Sequence, residues 1–160
     1  MWWCDRRTFL AGVALAGCGF QPVYGPRGAA NGVHGQVAID PPRDASGFAF
    51  VRHLETRLGL PESPTYRLSA DISISETELG VTPDQVISRY QLVGRAQYSL
   101  IRLANQEVLR SGRVDNFTSY SATGTPFATR TALLDARDRL MVVLADQVVS
   151  ELLITGEDWR

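Results

Sequence analysis

The sequence predicts an α+β fold: a two-layer sandwich with two helices on one face of a mainly antiparallel four-stranded sheet, in the order β-α-β-β-β-α. Three observations point there. Tyr66–Ser75 alternates strictly, with Tyr66, Leu68, Ala70, Ile72 and Ile74 on one side and Arg67, Ser69, Asp71, Ser73 and Ser75 on the other. Such alternation belongs to a sheet with one covered face and one wet face. A second alternating run, from about Val86 to Leu103, meets a turn at Ala104–Glu107 and a returning segment, Val108–Tyr120; this reads as a hairpin. The last segment, from about Pro126 to Ile154, carries an apolar stripe at helical spacing.

Taken in order, residues 1–17 read as a signal peptide. Arg6 and Arg7 precede the apolar stretch Phe9–Ala16, and Leu15-Ala16-Gly17-Cys18 closes it with small residues and a cysteine. The stretch is shorter than the roughly 20 apolar residues a transmembrane helix needs. Cleavage before Cys18 leaves a lipidated cysteine as the first mature residue. The arginine pair followed by Thr8-Phe9-Leu10 fits a twin-arginine leader as well as an ordinary secretory one. Cys4 departs with the leader, and acylation accounts for the single cysteine that remains. One acyl chain holds a membrane only marginally, at about 10⁴ M⁻¹, so stable anchoring takes more than one.

Residues 18–32 read as a lipidated tether, rich in Gly and Pro from Gly25 onward. Residues 33–160 form one domain. Val33, Gly35, Val37 and Ile39 alternate with polar or small residues as a first strand, which Pro41-Pro42 stops. Asp44 or Ser46 caps a helix to about Leu58, with Phe50, Leu54 and Leu58 four residues apart and Gly59 ending it. The first β-α-β unit should cross over right-handed. Glu76–Asp84, with Gly80 and Pro83, reads as a loop. Alternation weakens in Val108–Tyr120, which a bulge near Gly112 would explain.

Thr125 caps the last helix and Pro126 takes its first position. At 1.5 Å per residue the helix spans about 43 Å. Its stripe is Leu133, Ala136, Leu140, Val143, Leu144, Val148 and Leu152. Arg130, Asp135, Arg137, Asp138, Arg139 and Asp146 take the wet side, and Gly156 ends the helix.

The formal net charge is −1, and removal of the leader leaves 14 Arg against 16 acidic residues, a charge of −2. That balance gives no pull towards nucleic acid. Lysine is absent, so every fixed side-chain cation is Arg; a coding bias and a use for bidentate phosphate or carboxylate contacts both account for this. No catalytic, metal or cofactor constellation emerges. His34 and His53 lack a partner at metal-ligand spacing, and no GxSxG, HExxH, P-loop or GxGxxG occurs.

Two features suit binding. Arg67, Arg89 and Arg95, with Arg113, fall on the wet side of the sheet, where they either hold phosphates or carboxylates or pair across strands with Asp71 and Asp115. The Phe117–Phe127 region, with Tyr120 and Pro126, is either an aromatic interface or packing that seats the last helix.

Cys18-Gly19-Phe20-Gln21-Pro22-Val23-Tyr24-Gly25 resembles the mature start of the LptE family of lipopolysaccharide-assembly lipoproteins, in its alphaproteobacterial form. Tyr66–Glu76 resembles that family's second strand; Phe117-Thr118-Ser119-Tyr120, Pro126-Phe127-Ala128-Thr129 and Asp135-Ala136-Arg137-Asp138 resemble its last strand and helix entry. The resemblance implies a small sheet with helices on one side and no enzymatic activity. It also implies an outer-membrane barrel partner, LptD, which the family plugs, and lipopolysaccharide as the transported lipid. The implied site is the periplasmic side of the outer membrane, an address that Gly19 in place of aspartate also favours. Arg67, Arg89 and Arg95 are the candidates here for contact with lipopolysaccharide or the partner. An auxiliary lipoprotein of an ABC-type lipid transport system is the alternative.

Overall fold

The computed structural model describes residues 33–81, 87–122 and 124–159. The leader, Cys18 and the tether lie outside the described residues. Strand β1 (Val37–Ile39), helix α1 (Ala45–Leu58), strands β2 (Tyr66–Val81), β3 (Ile87–Arg102) and β4 (Glu107–Ser121), helix α2 (Pro126–Ile154) and the one-turn helix α3 (Gly156–Trp159) follow in order. The sheet runs β1-β2-β3-β4, with β1 parallel to β2 and the other neighbours antiparallel. This is the α+β arrangement that the alternation of Tyr66–Ser75 demands. No helix among the described residues is long and apolar enough to cross a membrane.

One face of the sheet makes the core. Leu68, Leu92, Ala96, Tyr98, Leu100 and Val114 meet Phe50, Leu54 and Leu58 of α1 and Leu140, Leu144, Val148 and Leu152 of α2. Each buried leucine contributes about 1.5–3 kcal/mol, so a one-residue slip of register, which would turn a whole row outward, is strongly opposed. The helix starts are built as their sequences indicate. Asp44 accepts the Gly47 N–H at 2.6 Å and Thr125 accepts the Ala128 N–H at 3.2 Å, with Pro126 at the first position of α2. Gly59 closes α1 at φ +79°, and the His34 ring fills the space a side chain there would need.

Several boundaries differ from the sequence reading. The first strand is only Val37–Ile39, because Gly35 at φ +72° turns the chain and the Gln36 N–H closes on the Val33 carbonyl at 3.2 Å. Residues 76–81, expected as loop, continue β2, with register shifts at Glu78/Gly80 and Gly80/Val81. A full-length ladder with β3 outweighs the poor strand propensity of Gly80 and the glutamates; the rest of the expected loop, 82–86, lies outside the described residues.

The bulge falls at Leu109, between the Leu100–Arg110 and Ile101–Val108 pairs, not near Gly112. Gly112 is in regular register opposite Tyr98, whose ring crosses above it. In α2 the buried set includes Met141, Ala145 and Val149, while Val143 is 40% exposed. The helix packs on both the sheet and α1, so it buries two adjacent strips. Asp146, assigned to the wet side, therefore faces His53 and Arg57 of α1, at 3.1 and 2.8 Å. Arg137 is half-buried. Thr155, not Gly156, caps α2, and Gly156 begins α3.

Candidate partner-binding face

The open face of the sheet carries the three candidate arginines. In register, Arg67 opposes Ile101; Arg95 lies between Ser73 and Asp115; Arg89 lies between Gly80 and Ser121. The arginines therefore share a face, but six residues of β3 separate each level from the next, about 20 Å at 3.4 Å per residue. They make three separate cationic points and do not converge on one compact anion. Between them the face carries Ser69, Ser73, Ser75, Thr77, Gln91, Gln97 and Ser99, interrupted by Val93 beside the exposed Phe117.

Arg95 is not a lone cation. Its Nε donates to Asp115 Oδ1 at 2.7 Å, and Arg113 Nε stands 3.3 Å from the other oxygen. The bond from Arg95 holds the Asp115 carboxyl below the usual range, against a smaller upward push from desolvation. The trio keeps one net positive charge. Exposed pairs of this kind add little stability. Asp71 pairs with Arg43 from the β1–α1 connection, at 3.1 Å, instead of with a cross-strand arginine. Arg67 is half-buried, and Arg89 is exposed.

The covered face has polar bonds of its own. Tyr98 O–H donates to Glu151 of α2 at 2.5 Å, and Tyr120 O–H donates to Glu76 at 2.7 Å while its ring stacks on Tyr90 at 5.3 Å. Burial, reinforced by the bond to Glu151, pushes the Tyr98 hydroxyl up to about 12; burial and Glu76 push Tyr120 further in the same direction. Both raise the folded-state value above an unfolded tyrosine's value of about 10. Their stabilising effect is complete below pH 10; that of Tyr98 fades as pH climbs towards 12, and that of Tyr120 persists to higher pH. A Tyr98→Phe variant is expected to lose about 1–3 kcal/mol at neutral pH, the range for a bond to a charged group. It should also lose less further stability than the parent between pH 10 and 12, read by urea unfolding at each pH. Equal alkaline slopes would remove Tyr98 as the cause.

The fold and this face can be set beside known proteins. A family model described as LptE, lipopolysaccharide-assembly, matches residues 35–152. The chain belongs to the LptE lipopolysaccharide-assembly family. An uncharacterized protein of Rickettsia prowazekii (strain Madrid E) is 23% identical over 140 residues, covering 88% of this LptE-family chain and 89% of its own. A Caulobacter crescentus CB15 protein named as a lipoprotein superposes with a TM-score of 0.67 at 20% identity, over 83% of this chain and 98% of that one. Rare lipoprotein B of Shewanella oneidensis superposes with a TM-score of 0.59 at 12% identity, over 76% and 95%. At such identities the structural likenesses establish the fold.

In this LptE-family chain the Phe117–Phe127 region divides between its two expected roles. Tyr120 is packing, buried against Tyr90, whereas Phe117 and Phe127 are 66% and 82% exposed. A cavity of about 80 Å³ opens where β1 stops, between Ile39, Phe50 and the Arg43–Asp71 pair. Its size suits a few waters, not an acyl chain. Sequence reasoning missed this corner because Arg43 and Asp71 are 28 residues apart with no local signal linking them.

Proposed function

We propose that this chain is an outer-membrane lipoprotein, held by an acylated Cys18 on the periplasmic side, that plugs an LptD-like β-barrel. There it helps assemble the barrel and pass lipopolysaccharide to the outer leaflet, as a structural partner and not an enzyme. The observation that carries this reading is the family match over residues 35–152. The open sheet face supports it. A mainly polar face of Ser, Thr and Gln, punctuated by Arg67, Arg89 and Arg95 and broken at Val93 and Phe117, suits the polar, hydrated interior of a large barrel. Separate arginines suit phosphates spread over a large lipid head group, since guanidinium groups bind phosphate bidentately.

The test is affinity purification of the acylated protein from detergent. A stoichiometric outer-membrane β-barrel is the expected companion; recovery with an inner-membrane transporter complex, or alone, counts against the reading. Reversing Arg67, Arg89 and Arg95 together to Glu is expected to lower lipopolysaccharide binding at least tenfold, about what losing one charged hydrogen bond costs. Circular dichroism should show the fold intact. Unchanged lipopolysaccharide binding and barrel recovery would remove these arginines from the site.

A further inference from the structure

A sheet ends in edge strands whose alternate N–H and C=O groups lack a strand partner, and proteins guard such edges with charge, bulges, proline or cover. The two long edges here are guarded unequally. Beyond β1, the β2 edge has Asp71 held by Arg43, then Glu76 and Glu78 and two register shifts. On β4 the bulge at Leu109 and the charge of Arg110 protect the first half. From Asn116 to Ser121 that protection stops: the segment has no charge, no proline and no register shift. Phe117, Thr118 and Tyr120 within it are strand-prone.

Backbone geometry shows which groups face out. The Ala122 N–H turns inward, to the Ser88 carbonyl at 3.0 Å, whereas the Phe117 N–H donates to Oδ1 of its own neighbour Asn116 at 2.8 Å. Alternation along an antiparallel strand then turns the backbone groups of Asp115, Phe117 and Ser119 away from β3. The Asn116 carboxamide stands in for a missing strand at the middle position. Just before this stretch, beside Arg113–Asp115, a groove of about 460 Å³ lies between β4 and α2; it mixes Val114, Val143 and Ile154 with the charged Asp146 and Glu151. On the open side stands Phe117, two-thirds exposed.

We propose that Asn116–Tyr120 of β4 is a strand-addition site that takes an extended, uncharged segment of the barrel partner. Naming the barrel as that partner rests on the function proposed above. A free backbone ladder recognises another extended chain. The lack of charge in Asn116–Ser121 selects an uncharged one, and the exposed Phe117 ring selects an apolar side chain on the open side.

A photo-crosslinking residue at Ser119 of the acylated full-length protein tests this in detergent extracts. The expected product is a crosslink to the barrel. Ser119→Pro removes an outward N–H and leaves the β3–β4 bonds intact, as proline does at edge positions. It should lower barrel recovery at least tenfold, with Ser119→Thr retaining it. Phe117→Ser, at an exposed position, should weaken recovery several-fold and serves if the proline variant fails to fold. Crosslinks to a second copy of this chain, or full barrel recovery by folded Ser119→Pro or by Phe117→Ser, would overturn the edge assignment alone. Absence of the barrel from the parent protein would overturn the partner and the edge assignment together.

Discussion

Trp159→Ala is expected to destabilise the domain by about 3–5 kcal/mol, the usual cost of emptying a buried tryptophan site, and to lower the thermal midpoint by roughly 10–20 °C. Trp159 lies in the one-turn helix α3, yet it is only 4% exposed. Its ring meets the edge of Tyr66 at 5.3 Å, and its carbonyl accepts from Arg102 at 3.3 Å. It thus closes the end of the sheet where β2 begins and β3 finishes. The indole N–H is buried without a hydrogen-bond partner among the described residues. Trp159→Phe, which keeps a ring and removes that unsatisfied donor, should therefore retain most of the stability. Differential scanning calorimetry separates the two variants; a midpoint shift under about 3 °C for Trp159→Ala would mean that α3 is not docked.

The second large effect is expected where α2 sits on β3. Leu144 is fully buried, and a side chain on Gly94 would come within 2.9 Å of both Leu144 Cδ1 and Leu140 Cδ2. Glycine is needed at this position for close approach. Leu144→Ala should cost about 2–5 kcal/mol by opening a cavity, and Gly94→Ala about 1–3 kcal/mol by overpacking. Combined, the added methyl enters the space the leucine leaves. The double variant should then be about 1 kcal/mol or more better than the sum of the singles, a coupling expected only of residues in contact. Urea unfolding measures all three, and strict additivity would break the link between Leu144 and Gly94.

The fold was legible where one local rule acted without a competitor. The alternation of Tyr66–Ser75 requires a half-covered strand, and Thr125-Pro126 marks a helix start with few alternatives. Arg67, Arg89 and Arg95 were placed on the wet face by parity alone, which the register of β2 and β3 reproduces. Legibility failed where partners distant in sequence decide. Gly80 looks like a turn until a strand lies beside it. Asp146 looks solvent-facing until His53, 93 residues earlier, is brought against it. Trp159 lies beyond the long helix with no periodic pattern to mark it as core.

For the candidate site the division is similar. Parity assigns side chains to a face but says nothing of their spacing across strands. Only the assembled sheet separates the arginines into three levels and ties Arg95 to Asp115. Periodicity and capping, carried by neighbours in the chain, are properties of the sequence itself; so are the order of elements, the leader pattern ending at Cys18 and the polarity of the open face. Rotation of α2 about its axis, the docking of Trp159 and the unguarded half of β4 belong to the tertiary structure. They depend on packing and on backbone hydrogen bonds between segments far apart in sequence, energies that no single stretch of residues contains.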